Sequence, residues 1–324
     1  MAEAEAAPCT LYFSKVNLTV LGVLVVFGLL YYVSVFCVIV PWLSYSVPGI
    51  TNMGVLTVTT CLSLYCYMFC VLLDAGRPPA DYQPDQESSS VLEVKRKDGA
   101  PRYCQKCQQF KPPRSHHCRK CQRCVLRMDH HCPWTNNCIG HANYRAFFLF
   151  LIYVNAALLH VVLLLGAHTL HVLQTSHQQR VLRTGPQGKP VQLAAGWIGS
   201  VWLWAVLQVV AFAVALPLTI GLLLLFAWHV QLISVNKTTI EYQEGVTASI
   251  NAVASGAPLP DLQHHPYDLG LYANLMTIFG ANPAAWALPP CAPTAGGTSY
   301  PTKWDLLSAE DAEEHEARLL GLTS

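Results

Sequence analysis

Charge is scarce in this chain. Only 12% of the 324 residues are Asp, Glu, Lys or Arg, about half of ordinary usage, while 52% are hydrophobic. So little polar surface excludes an ordinary water-soluble globule of this size. No block of basic residues is interleaved with aromatics, which argues against a nucleic-acid partner. The sequence reads as lacking an internal repeat of useful period, and so lacks the signature of a solenoid or propeller. No small-residue cleavage site follows the first apolar run, Leu18 to Val40, which is also too long for a signal-peptide core and should stay as an anchor.

What is abundant is apolar length. Four runs, at 18–40, 50–73, 146–172 and 198–233, suffice to cross hydrocarbon, which needs roughly 20 residues at about 1.5 Å each. Pro217 in the last predicts a kink. Lys and Arg collect in loops on the cytosolic side, and of the 20 present, 13 lie between Arg77 and Arg145, against three (Arg180, Arg183, Lys189) in the loop 174–197. The chain therefore reads as an all-α integral membrane protein of four transmembrane helices, with a small cysteine-rich cytosolic domain between helices 2 and 3. Its parts are a cytosolic N-terminus (1–17), helices 1 and 2 (18–73), a cytosolic linker and cysteine-rich domain (74–145), helices 3 and 4 (146–233) around a lumenal loop (174–197), a cytosolic C-terminal region (234–282) and a mobile tail (283–324). In this topology Asn17-Leu18-Thr19 and Asn236-Lys237-Thr238 stay unglycosylated.

A cytosolic setting makes clustered cysteines metal ligands or nucleophiles rather than disulfides. Seven cysteines and four histidines fall between Cys104 and Cys138, whereas Cys37, Cys61, Cys66 and Cys70 lie in apolar runs as packing residues, and Cys9 and Cys291 are isolated. Cys104-x2-Cys107, Cys118-x2-Cys121 and Cys121-x2-Cys124 are zinc-knuckle spacings. With few aliphatic residues between Tyr103 and Gly140, the module needs metal for much of its stability. Two tetrahedral ions need eight ligands. Six cysteines with two histidines satisfy that and leave Cys132 free; seven with one histidine also satisfy it and consume Cys132. Spacing alone leaves both open.

The segment from Arg102 to Phe147 resembles the cysteine-rich domain of the DHHC-type protein S-acyltransferases, or palmitoyltransferases. The resemblance is carried by Cys104 to Cys107, Lys111-Pro112-Pro113-Arg114, His117-Cys118 onward to Cys124, Asp129-His130-His131-Cys132, and Asn137-Cys138-Ile139-Gly140-His141-Ala142-Asn143-Tyr144. Thr238-Thr239-Ile240-Glu241 after the fourth run, and Asn274 with Phe279-Gly280, extend it over most of residues 10–282. Tyr267-Asp268-Leu269-Gly270 is similar to plant and algal members. Asp74-Ala75-Gly76 departs from the family's Asp-Pro-Gly, which puts the rigidity of that turn in question.

The resemblance implies two structural Cys3His zincs, one on Cys104, Cys107, His117 and Cys124, the other on Cys118, Cys121, His131 and Cys138, with His116 outside both sets. It implies transfer of a palmitoyl-type chain from acyl-CoA, the co-substrate, through a thioester on Cys132 to cysteines of membrane-associated proteins at the cytosolic face. An unperturbed thiol is only a few per cent ionised at neutral pH and needs a base. His130 takes that role and Asp129 orients it, a pairing that requires extended backbone so that residues two apart share a face. Lys111, Arg114 and Arg119 are candidate contacts for coenzyme A phosphates; Thr239 resembles a support for Asp129 and Asn274 one that orders the tail, while Glu241 reads as a helix-end or tail contact. The interfacial Trp134 places Cys132 near membrane lipid, and Golgi, endoplasmic reticulum and plasma membrane are all compatible with these spans. The competing reading is a non-catalytic membrane scaffold that binds zinc through Cys132. RING-type spacing is absent, and no charged residue deep in a span marks a transport path.

Overall fold

The computed structural model describes residues 15–84, 91–93, 101–183, 198–244, 248–250, 265–290, 292, 294 and 296–303. Among the described residues, four helical stretches are long and apolar enough to cross a membrane: Leu18–Leu43, Val47–Leu72, Tyr144–Thr175 and Leu203–Ser234. The first comprises α1 (Leu18–Tyr32), a π-helical stretch (Val33–Ile39) and α2 (Val40–Leu43), which continues the same helix through Pro41. The others are α3 (Val47–Leu72), α4 (Tyr144–Arg183) and α5 (Ile198–Ser234). Helix α4 starts before residue 146 and runs past 173, so the first residues of the expected lumenal loop are helical; residues 184–197 lie outside the described set. Helix α5 continues through Pro217.

The chain divides into two compact units. One comprises Val20–Tyr65 and Leu149–Phe226, which hold most of each of the four spans. Its buried cluster joins Val33, Val38, Leu56, Val154, Leu165, Ala211 and Ala215, and the alanines let α5 approach closely where apolar burial gives no drive in lipid. Polar pairs add to this packing: Tyr31 Oη to Thr57 Oγ1 at 2.8 Å and His160 Nε2 to Asn52 Oδ1 at 2.8 Å. Outward-facing Val25, Leu163, Val209 and Leu224 are each more than two-thirds exposed, as a face solvated by acyl chains requires.

The other unit comprises residues 1–19, Cys66–Phe148 and Ala227–Ser324. Here the expectation of an all-α protein is corrected, because the cysteine-rich segment folds as antiparallel hairpins. Strand β1 (Val91–Glu93) pairs with β8 (Ala248–Ile250), β2 (Tyr103–Cys104) with β3 (Gln109–Phe110), β4 (His116–Cys118) with β5 (Arg123–Val125), and β6 (His130–Cys132) with β7 (Asn137–Ile139). Among the described residues, the short α6 (Thr239–Glu244) and α7 (Leu271–Phe279) follow α5.

The three cysteine-rich hairpins repeat one design. In each, four residues separate the strands, and the last of them takes a left-handed backbone: Gln108, Gln122 and Asn136, with φ of 52°, 53° and 49°. Gln and Asn stand where glycine would be easiest. The period is 14 residues, carrying Cys104 to Cys118 to Cys132 and His117 to His131. An internal repeat therefore exists, contrary to the sequence reading; it is too short and too degenerate for a pattern sought at 20–50 residues.

Among the described residues up to Lys303, the segment expected to be a tail makes these contacts: Thr294 N–H donates to Ala142 O (3.1 Å), Lys303 N–H to Pro266 O (2.9 Å), and Tyr300 Oη bonds His141 Nδ1 (3.0 Å). The acidic residues 310–316 lie outside the described set. The Asp74-Ala75-Gly76 turn is held by bonds rather than by a proline ring. Asp74 accepts Gly76 N–H at 3.0 Å and Arg123 Nη1 at 2.7 Å, and Ala75 O and Gly76 O accept Ala142 N–H and Leu126 N–H.

Candidate active site

Register explains how the hairpins share ligands. The turn of one hairpin offers two thiols, and the paired strands of the next offer a histidine and a cysteine directly opposite each other, His117 against Cys124 and His131 against Cys138. Cys104, Cys107, His117 and Cys124 thus form one group and Cys118, Cys121, His131 and Cys138 a second, with ligand atoms within 4.8 Å of one another. In the first, His117 Nδ1 lies 3.5, 3.2 and 4.0 Å from the three sulfurs; in the second, His131 Nδ1 lies 3.6, 3.5 and 3.7 Å from its three. A tetrahedral zinc with arms of about 2.0–2.3 Å sets its ligands roughly 3.6–3.8 Å apart. The donor set, three soft thiolates and an imidazole at that spacing, fits zinc in both places.

Cys132 stands where the third hairpin would begin a third group. Its partner position, filled by Cys107 and Cys121 in the earlier turns, is Thr135, and no further hairpin follows because the chain enters α4. Cys132 belongs to neither group. In the second hairpin the Cys121 N–H donates to Cys118 Sγ (3.3 Å), and in the third Thr135 Oγ1 donates to Cys132 O (3.4 Å). The hairpin is anchored: Asn137 Nδ2 donates to Cys70 O and Leu73 O at 3.0 and 2.7 Å, using carbonyls left open at the end of α3, and Tyr67 Oη donates to Trp134 O at 2.8 Å.

Because β6 is extended, His130 and Cys132 share a face. Asp129, fully buried, accepts His130 Nδ1 at 2.6 Å, Thr239 N–H at 2.9 Å and Thr239 Oγ1 at 2.9 Å. Thr238 and Glu241 form a capping box around this: Glu241 N–H donates to Thr238 Oγ1 (3.1 Å) and Thr238 N–H to Glu241 Oε2 (2.9 Å). The box orients α6 so that the first helical N–H points at the Asp129 carboxylate, the favourable end for an anion.

Electrostatics follow from these contacts. Burial opposes the Asp129 carboxylate, but the bond and charge of His130 outweigh it and hold the carboxyl below its usual range. Burial likewise disfavours a charged His130, yet Asp129 and Cys132 together push its imidazole up to about 9. The Cys132 thiol is raised by burial and lowered more by His130 and Thr135, for a net fall. At neutral pH these directions favour an imidazolium beside a thiolate.

The residues expected to meet coenzyme A separate. Lys111 is half-buried and Arg119 exposed, but Arg114 is withdrawn from any ligand, which corrects that expectation. Its Nε and Nη2 donate to Glu241 at 2.7 and 2.8 Å, its Nη1 and Nη2 to Asn236 at 3.0 and 2.7 Å, and the rings of Tyr267 and Tyr300 stack on it at 4.4 and 5.2 Å. Glu241 is accordingly more than a helix-end contact. His116, outside both metal groups, is half-buried, and burial and Arg102 push its imidazole down to about 3. Buried Asn274 binds Ser234 O (2.8 Å), Asp268 Oδ1 (2.7 Å) and Leu269 N–H (2.9 Å), tying α7 to the end of α5. Sequence reasoning missed His229, which lies within 4.8 Å of Asp129 and His130; an ionisable residue in an apolar run was the available signal.

A family model described as "DHHC palmitoyltransferase" matches residues 97–246. The chain is similar to "Probable protein S-acyltransferase 16" of Arabidopsis thaliana, 41% identical over 92% of this chain and 97% of that protein. It is similar to "Probable protein S-acyltransferase 15" of the same plant, 36% identical over 81% of this chain and 92% of the relative. It also resembles "Palmitoyltransferase PFA4" of Mycosarcoma maydis, at 35% over 77% of this chain and 51% of the relative.

Proposed function

The chain belongs to the DHHC palmitoyltransferase family, and from that premise we propose that Cys132 carries the acyl group, His130 moves the proton and Asp129 orients His130. The chain is a multi-pass membrane protein and a protein S-acyltransferase that uses acyl-CoA and acts on protein substrates. The observation that supports the assignment is the exclusion of Cys132 from both zinc-type groups while it faces His130.

In the first step the Cys132 thiolate attacks the acyl-CoA carbonyl carbon. The new C–S bond forms, the bond to the coenzyme A sulfur breaks, and the His130 imidazolium gives its proton to that leaving thiolate. In the second, His130 takes the proton of the protein substrate's thiol, whose sulfur attacks the same carbonyl and expels Cys132 as a thiolate. One thioester replaces another, so the protein's task is orientation and charge placement rather than driving an uphill reaction. Asp129 keeps the Nδ1 proton of His130 engaged and leaves Nε2 to serve sulfur. The two zincs supply fold stability, bracing the backbone on either side of Cys132 through His131 and Cys138.

In our reading the cysteine-rich unit and both termini face the cytosol, as the Lys and Arg distribution favours, with a long acyl chain reaching into the bilayer. Trp134 beside the thiol, 64% exposed, suits the interface. Lys111 and Arg119 remain candidates for coenzyme A phosphates. The test is labelling of purified protein by palmitoyl-CoA: wild type takes a label that neutral hydroxylamine removes, Cys132→Ser takes none yet keeps two zincs, and Cys118→Ser loses zinc together with activity. Equal zinc loss in both variants would overturn the division between ligand and nucleophile.

A further inference from the structure

His229 has no part in the scheme above. It sits near the end of α5, 1% exposed, with Nδ1 3.0 Å from Tyr144 Oη. One of its ring nitrogens lies within 4.8 Å of both an Asp129 oxygen and a His130 nitrogen. Its ring is edge-on to Phe147 (5.0 Å, 73°) and 6.0 Å from that of His130, while His130 is itself edge-on to Phe147 (5.2 Å, 68°). Phe147 and His229 thus flank His130, and Asp129 engages its Nδ1.

We infer that His229 is a positioning residue for acyl transfer: an uncharged imidazole, fixed by Tyr144, that holds the Asp129–His130 pair in its reacting arrangement. The inference rests on the roles assigned to Cys132, His130 and Asp129. Its chemistry follows from hydrogen-bond accounting. The buried Tyr144 hydroxyl has His229 Nδ1 as its partner, and a phenol that donates there leaves the neutral imidazole with its proton on Nε2. That tautomer gives the ring an N–H, rather than a second bare lone pair, in the field of the buried Asp129 carboxylate. The opposite tautomer would leave the phenol hydrogen without an acceptor and place a bare nitrogen lone pair in that field, and both are unfavourable in a buried setting. Such a ring stabilises the carboxylate without adding a cation beside His130, and its bulk blocks rotation of the His130 ring away from Cys132.

The test uses the full chain purified in detergent, comparing wild type, His229→Phe and His229→Gln. Phe keeps a ring of similar size and removes the polar edge; Gln gives up the ring and restores an amide N–H near the Nε2 position. We expect His229→Phe to retain both zincs and its unfolding temperature, to form acyl-enzyme about ten-fold more slowly with KM for palmitoyl-CoA unchanged, and to slow iodoacetamide alkylation at Cys132, read by mass spectrometry, in parallel. His229→Gln should recover most of both rates. A role in packing alone gives the reverse order, with Phe as fast as wild type and Gln slower, and that order would overturn the inference. Should His229→Phe lose zinc, Tyr144→Phe decides: it frees the tautomer of His229 and should slow acyl-enzyme formation several-fold, whereas a wild-type rate overturns the proposal. Labelling of Cys132→Ser would instead refute the underlying assignment, whatever the His229 variants do.

Discussion

Glu241→Gln measures what ties the cysteine-rich segment to the chain that follows α5. The Arg114 and Glu241 side chains are 1% and 4% exposed, so water cannot replace a lost partner. Gln keeps the shape and one acceptor but removes the charge, leaving the guanidinium beside Arg127, which shares Asn236 Oδ1 with it (3.0 and 3.2 Å). Removing one member of a buried ion pair costs about 3–5 kcal/mol, and the retained acceptor places this variant near the lower figure. At about 2–4 °C per kcal/mol for a folding unit of roughly 150–250 residues, the midpoint should fall by about 6–12 °C. Thermal unfolding in detergent, followed by tryptophan fluorescence, reads it. A midpoint within about 1 °C of wild type would refute the reasoning.

The pH dependence supplies an independent check. Burial opposes the Glu241 carboxylate, but Arg114 and His265 outweigh it and hold the carboxyl well below its ordinary value of 4.5. A depressed carboxylate contributes stability that is fully present above the unfolded pKa and is lost as pH falls through the lower, folded one. The deficit of Glu241→Gln should therefore be constant from about pH 8 to pH 5.5 and shrink only in stronger acid. A deficit that vanishes between pH 7 and 6 would mean that Glu241 is already protonated there.

Three further outcomes are expected. Thr239→Val removes the hydroxyl bond to Asp129 but keeps the backbone one; a hydrogen bond to a charged group contributes about 1.5–3 kcal/mol, so acyl-enzyme formation should slow by about ten- to hundred-fold with zinc content unchanged. Lys15 Nζ approaches Cys121 Sγ at 3.7 Å and Lys15 O accepts Asn136 Nδ2 at 3.0 Å; a Cys3His zinc carries a net negative charge, so Lys15→Met should release one zinc several-fold faster to a chromogenic chelator and Lys15→Arg should not. Thr135→Cys completes the third knuckle turn, so micromolar zinc or cadmium should block labelling of that variant reversibly, with chelator restoring it and wild type unaffected at the same dose.

Local spacing was legible in the sequence wherever a single residue type does a single job. Cysteines two residues apart announce thiol pairs, and long uncharged runs announce spans. Chemistry that depends on partners distant in sequence was not legible. Arg114 stands in a basic stretch and reads as a phosphate contact, yet its partners Asn236 and Glu241 lie beyond α5, and only the fold shows that its donors are spoken for. The motif Thr238 through Glu241 reads as a support for Asp129 at Thr239 and as a helix-end or tail contact at Glu241. The structure divides it, Thr238 and Glu241 closing a capping box while Thr239 serves Asp129.

Cys132 shows why counting stopped short. Eight ligands for two ions can be chosen from seven cysteines and four histidines in more than one way, and the choice is made by strand register, which pairs His117 with Cys124 and His131 with Cys138. Once that register is known, each hairpin turn gives its sulfurs to the strands of the next hairpin, and the last turn in the series has no next hairpin to serve. A nucleophile generated in this way inherits the same four-residue hairpin turn, and there Thr135 joins His130 in lowering the Cys132 thiol. Zinc is then needed everywhere in the series except where the chemistry occurs, and Thr135, by withholding the second thiol, keeps it away.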